Sequence, residues 1–182
     1  MHKAGKKYIF DNTVLSNFLL VNQIELLKSL YQECAWTSIQ VVDELTRGID
    51  EGYAYLKIAE KHLTTIAPEG WLSILNLETP QENRFYLRFR QSLDPGEAAC
   101  LSLAITRQMV LATDDKAGRK LGLRYKVNLT GTIGILVRGI REECLTLSTG
   151  NQLLKEMIRY GYYSPVKSLD ESLINEYFSD ID

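Results

Sequence analysis

Two aspartates stand where their chemistry would matter most. Asp11 closes the apolar run Tyr8-Ile9-Phe10, and Asp114 closes Val110-Leu111-Ala112-Thr113. Each falls at the carboxyl end of an expected strand, the edge of an open α/β sheet at which ligands bind. If these strands are neighbours, both carboxylates enter one crevice. Like charges that close are unfavourable unless a proton or a cation stands between them. A hard divalent ion with oxygen ligands resolves the conflict, and the lack of Cys/His clusters points the same way. Taken singly, each aspartate reads equally well as the N-cap of the helix that follows. Their matched positions on two strands favour ligands.

Other acids carry less information by themselves. Asp94-Pro95-Gly96-Glu97 has the spacing of a capping box, so Glu97 reads as structural; yet it opens a helix that directly precedes the Asp114 strand. Glu44 flanks the Val41, Val42, Leu45 stripe and reads as a solvated charge. Asp115 is either a cap or a further metal donor. Lys116, Arg119, Lys120, Arg124 and Lys126 follow with no acid among them. They form either a solvated helix face or a phosphate track, which Arg84, Arg88 and Arg90 would extend. The ten tyrosines cannot be placed as base-stacking platforms from sequence. The histidines, His2 and His62, leave little for imidazole chemistry.

The elements that would position these acids alternate between short apolar runs and helical patterns, the signature of βαβ units. Strands are expected at Lys7–Phe10, Cys34–Thr37, Trp71–Leu77, Met109–Thr113 and Lys126–Leu129. Helices are expected at Asn12–Asn22, Gln23–Tyr31, after Ser38, over Glu51–Thr64, Gln81–Ser92 and Ala98–Thr106, from Lys116 to a stop at Gly122, and from Gly131. The resulting fold class is α/β: a doubly wound parallel sheet of about five strands with helices on both faces. Residues 1–150 would form the domain, and residues 151–182 a helical extension. Its apolar positions are Leu153, Leu154, Met157, Ile158, then Leu173, Ile174, Tyr177 and Phe178. They pack back on the domain or cover a second subunit, with a homodimer as the expected assembly.

At 182 residues the chain suits one domain with an appendage, and 45% hydrophobic with 24% charged residues is ordinary for a globular protein. Cys34, Cys100 and Cys144 are odd in number and widely spaced, so buried reduced thiols are expected. No apolar run is long enough to cross a membrane, and Asp11 interrupts any leader-like core, so a cytoplasmic protein is expected. The net charge of −2 argues against a broad nucleic-acid coat but allows a local basic path.

The motifs, taken in order, resemble a known family. Tyr8-Ile9-Phe10-Asp11-Asn12-Thr13-Val14-Leu15 is similar to the opening of PIN domains, and Val41-Val42-Asp43-Glu44-Leu45 to their second acidic motif. Gly96-Glu97-Ala98 resembles the third. Ala112-Thr113-Asp114-Asp115-Lys116-Ala117-Gly118-Arg119 resembles the fourth, and Gly131-Thr132-Ile133-Gly134-Ile135-Leu136 the closing segment. The resemblance covers about Tyr8 to Gly139, and Asn12 departs from it, standing where many relatives carry a small hydroxyl residue. It implies a PIN-like nuclease in which Asp11, Glu44, Glu97 and Asp114, with Asp115 as a possible addition, hold Mg²⁺ or Mn²⁺ to hydrolyse RNA. Thr13 or Thr132 would orient a carboxylate or phosphate from behind, and Lys116, Arg119 and Lys120 would bind RNA, with Arg119 alternatively folding back to hold the acidic cluster. Many relatives are VapC-type toxins paired with a small antitoxin, which makes an antitoxin an expected partner. Two rivals stand beside this. Phe10-Asp11-Asn12-Thr13-Val14 resembles a haloacid-type phosphatase loop, but that chemistry wants an aspartate where Thr13 stands. The other is a non-catalytic PIN-like module that only binds RNA or protein.

Overall fold

A computed structural model describes residues 5–64 and 69–179, the last two without side chains. Met1 to Ala4, including His2, and the Phe178 side chain lie outside the described residues. Five strands form one sheet among these residues: β1 (Tyr8–Phe10), β2 (Ala35–Ser38), β3 (Ser73–Leu75), β4 (Val110–Ala112) and β5 (Leu129–Thr130). All pair in parallel, in the order β3-β2-β1-β4-β5. The expected doubly wound parallel sheet is therefore present. Direction along the sheet reverses after β3, so β1 lies between β2 and β4, the arrangement that opens a crevice at the strand ends.

Strand alternation assigns the two faces. Tyr8 and Phe10 point to the side of Tyr31, with ring centroids 4.7 and 5.2 Å from it. That side holds α1 (Asn12–Leu20), α2 (Ile24–Tyr31) and α7 (Thr132–Arg141), with α8 (Leu147–Arg159) packed on α1 and α7. Ile9 points the other way. There α5 (Pro95–Arg107) crosses β1, β2 and β4, flanked by α3 (Ile39–Asp50), α4 (Pro80–Phe89) and α6 (Lys116–Arg124). Because both faces are covered, the central strands are mostly apolar: β1 reads YIF and β4 VLA.

Several elements differ from the sequence reading, each for a local reason. The helix expected over Glu51–Thr64 is a 3₁₀ stretch, Ala54–His62. The helix expected to stop at Gly122 runs on to Arg124, and Gly122 is an interior position packed against Leu129. The fifth strand begins only at Leu129, because Lys126 sits at φ 58° and turns the chain out of α6 first. On α4, Phe85 and Phe89 are the stacked pair one helical turn apart, and Leu87 between them is 68% exposed. Of the cysteines expected buried, Cys100 is buried, Cys34 half-buried and Cys144 exposed; all three are free.

The C-terminal segment packs on the rest of the chain. Helix α8 runs across residue 150, and Leu153, Leu154 and Met157 join the core, as does Leu169 beyond it. Helix α9 (Glu171–Ser179) follows and rests on α7. Among the described residues no helix is long and apolar enough to cross a membrane.

Candidate metal centre

Parallel pairing of β1 with β4 places Phe10 opposite Ala112, so Asp11 and Thr113 leave the sheet at the same level. The Asp11 amide then donates to the Ala112 carbonyl at 3.1 Å, which continues the ladder by one step. Asp11 is fully buried and caps α1: its Oδ1 accepts from the Val14 amide at 3.2 Å and from the Thr13 hydroxyl at 2.6 Å. Its Oδ2 is buried with no hydrogen-bond partner. An orphaned carboxylate oxygen of this kind calls for a proton or an ion. Burial accordingly pushes the Asp11 pKa up to about 7; the Thr113 and Thr13 hydroxyls and the Val14 amide oppose the rise, and the Asp114 charge adds to it.

Glu44 and Glu97 arrive from the two helices that meet beside β1. Ser38 caps α3 through the Val41 amide at 3.2 Å, and that start sets the turn bearing Glu44. Glu44 Oε1 accepts from the Gly96 amide at 2.6 Å, joining α3 to the first turn of α5. The approach requires glycine, because a Cβ at position 96 would stand 2.5 Å from Glu44 Oε2. Asp94 and Pro95 start α5, and the Asp94 amide donates to Glu97 Oε2 at 3.1 Å, the return half of a capping box. Burial raises the pKa of Glu44, eased by the Gly96 amide. Burial also raises that of Glu97, to about 7, and Asp115 is the neighbouring charge that contributes most.

The twin aspartates differ in their hydrogen bonds. Asp115 caps α6, its Oδ1 accepting from the Gly118 amide at 2.6 Å, and it lines a cavity of about 390 Å³ with Arg90, Asp94 and Glu97. Both oxygens of Asp114 are engaged elsewhere. Oδ1 accepts from the Thr132 amide at 3.0 Å and the Tyr162 hydroxyl at 3.3 Å. Oδ2 accepts from the Thr132 hydroxyl at 2.5 Å and from Asn17 Nδ2 at 3.1 Å. Thr13 links the two strand ends, donating to Asp11 and accepting from the Asp114 amide at 3.0 Å.

Asp11, Glu44, Glu97 and Asp115 thus share one pattern: one oxygen on a backbone amide, the other left over. The cap and ligand readings were posed as alternatives, but a carboxylate has two oxygens and the geometry leaves room for both. The acids do not share one cavity: Glu97 and Asp115 line one, and Glu44 lines another. Among the described residues no group of three or more His, Cys, Asp or Glu side chains stands close enough to hold one ion as arranged. By chemistry the donor set still fits a hard oxygen-seeking cation: carboxylates alone, three of them, Asp11, Glu44 and Glu97, with pKa values raised by burial, and one orphaned oxygen on Asp11.

Asn17 and Tyr162 were missed from sequence. Asn17 sits two turns into α1, and Tyr162 arrives from beyond α8; neither carries a local signal. Of the cations, Lys116 and Lys120 are exposed, and Lys116 Nζ lies 4.1 Å from the Tyr163 ring centroid. Arg119 turns inward, its Nη1 donating to the Thr113 and Thr130 carbonyls at 2.9 Å each, which splints the ends of β4 and β5. A cavity of about 830 Å³ lies by Tyr8, Val110 and Leu129 and includes none of the five acids.

A family model described as DUF3368, PIN domain, matches residues 7–176. No curated protein matches the chain.

Proposed function

This chain belongs to the PIN-domain family, whose members are generally nucleases, and from that premise we propose that it is a ribonuclease dependent on Mg²⁺ or Mn²⁺ that hydrolyses RNA phosphodiester bonds. The observation that carries the proposal is Asp11: a fully buried carboxylate at the β1/β4 edge with one oxygen unpartnered and its pKa held near neutrality. Asp11, Glu44, Glu97 and Asp115 would supply the metal donors. Asp114, expected as a ligand, would act by position: its charge bears on Asp11, while its own oxygens tie Thr132, Asn17 and Tyr162 to the strand end.

A bound divalent ion would supply polarisation of the phosphodiester and acidification of a water. The chain's own part is to fix the donors. Backbone amides hold one oxygen of each acid, so the free oxygen has a set direction. Thr13 orients Asp11, and Thr132 orients Asp114. Lys116 and Lys120 would steer the phosphate backbone toward the acids.

The decisive experiment is cleavage of single-stranded RNA by the purified chain with Mn²⁺ or Mg²⁺, against the same reaction in chelator and with Asp11→Asn. Cleavage that needs the ion and Asp11 supports the reading. RNA binding without ion-dependent cleavage would return the chain to the non-catalytic PIN-like module. The homodimer and the antitoxin partner belong to the same proposal, and Leu123, Tyr160 and Tyr163 are apolar surface such partners could cover.

A further inference from the structure

Glu44, but neither Glu97 nor Asp115, lines a cavity of about 320 Å³. Asn12 and Ser16 of α1, Arg47 of α3, and Glu51, Tyr53 and Tyr55 of the following turn line it. Its floor therefore begins next to Asp11 and ends on two tyrosines. The turn is built to present them. Gly52 adopts φ 102°, a conformation that side-chain-bearing residues rarely take, and the Tyr53 amide donates back to the Gly48 carbonyl at 3.0 Å. Tyr53 is left 54% exposed, with its ring 6.3 Å from that of Tyr55 and at 72° to it. An edge-to-face pair cannot cover both faces of the exposed ring, so a flat aromatic surface meets solvent at the cavity mouth. A tyrosine that only filled the core would not be spent this way.

The polar lining suits a ligand with both a flat apolar face and an anion. Asn12 Oδ1 accepts from the Ser16 hydroxyl at 2.9 Å, which leaves the amide nitrogen for another partner. Arg47 lines the cavity together with the Glu44 and Glu51 carboxylates and is close enough to Glu44 to act on its charge. Aromatic face, amide and guanidinium together match a nucleotide, in which a planar base adjoins a phosphate.

We propose that this cavity receives one unstacked base of a single-stranded RNA, stacked on Tyr53, with Arg47 at the adjoining phosphate; the proposal rests on the ribonuclease reading. It makes the chain a reader of unpaired RNA, because a base held in a duplex cannot reach the ring.

The test uses single-stranded oligoribonucleotides with one 2-aminopurine placed at successive positions, bound to the full chain in an Asp11→Asn background to prevent turnover. Stacking on Tyr53 should quench the fluorescence at one position. Tyr53→Ala should abolish that quench and weaken binding about tenfold or more, whereas Tyr53→Phe should keep both. Unchanged quenching and affinity in Tyr53→Ala would overturn the base site; if the chain with native Asp11 still cleaves RNA with Mn²⁺, the ribonuclease reading stands without it. No quenching at any position, together with no ion-dependent cleavage, would overturn both.

Discussion

Asp11 leaves one buried oxygen without a partner, whereas both oxygens of Asp114 are occupied. The two should therefore answer differently to the same change. Asp11→Asn removes a charge from a crowded site while keeping a capping oxygen, so ion-dependent cleavage should fall at least about a hundredfold. The metal-free melting temperature should hold or rise slightly. Asp115→Asn should weaken divalent-ion binding, read by calorimetric titration, with little change in stability. Asp114→Asn should instead cost about 1–3 kcal/mol, because Thr132, Asn17 and Tyr162 lose a charged acceptor. If Asp114→Asn abolishes ion binding and Asp115→Asn spares it, the assignment of the fourth donor is reversed.

Among the elements, α6 carries the residues that sequence reading grouped as a cationic track. Arg119 splints the β4 and β5 ends, so it does not belong with its neighbours. Arg119→Gln should lower stability by about 1–3 kcal/mol, since two carbonyls lose their donor. Lys116→Gln with Lys120→Gln should leave the melt unchanged and reduce the slope of log binding against log salt by roughly 1–2. Salt titrations of RNA binding on the two variants would separate the roles; a flattened slope in Arg119→Gln would restore it to the track. The caps of α1, α3, α5 and α6 were legible because capping is local: the residue and its amide lie three positions apart. So was the pairing of two strands that each end in aspartate. The Arg119 splint and the Asn17 and Tyr162 bonds to Asp114 were not, because each depends on a fold that joins distant segments. Tyr53 was hidden for the same reason. Ten tyrosines look alike in sequence, and only the turn at Gly52 singles one out.

For the molecule as a whole, the crowded acids should make metal-free stability depend on pH. Asp11 rises from 3.8 to about 7 on folding, and Glu97 from 4.5 to about 7. Between those limits the folded chain binds more protons than the unfolded one. Their contribution is therefore complete below about pH 4 and is lost as pH rises through about 7. Glu82, held down to about 2 chiefly by Arg107 against the cost of its burial, loses stability only on the acid side of 4.5 and does not cancel the trend. Thermal melts in chelator should show a lower melting temperature at pH 8 than at pH 5.5, and Mn²⁺ should restore it at pH 8. Asp11→Asn should flatten the profile; an unchanged profile would remove Asp11 as its source. Light scattering tests the proposed assembly: a homodimer gives about twice the 20.7 kDa chain mass, and a species at 20.7 kDa rejects it.

The central place of β1 in the sheet also fixes an order in time. Asp11 and Glu44 are synthesised first, whereas β4, one of the two strands beside β1, and the helix bearing Glu97 follow more than fifty residues after Glu44. At ~5–20 residues per second, roughly 5–20 seconds of translation separate Asp11 from Asp115. Tyr162, which holds Asp114, comes later still. A nascent chain on the ribosome is thus surrounded by RNA while its acids are incomplete, and whatever the finished cluster does begins only after Tyr162 has been added and the strand end it holds has closed.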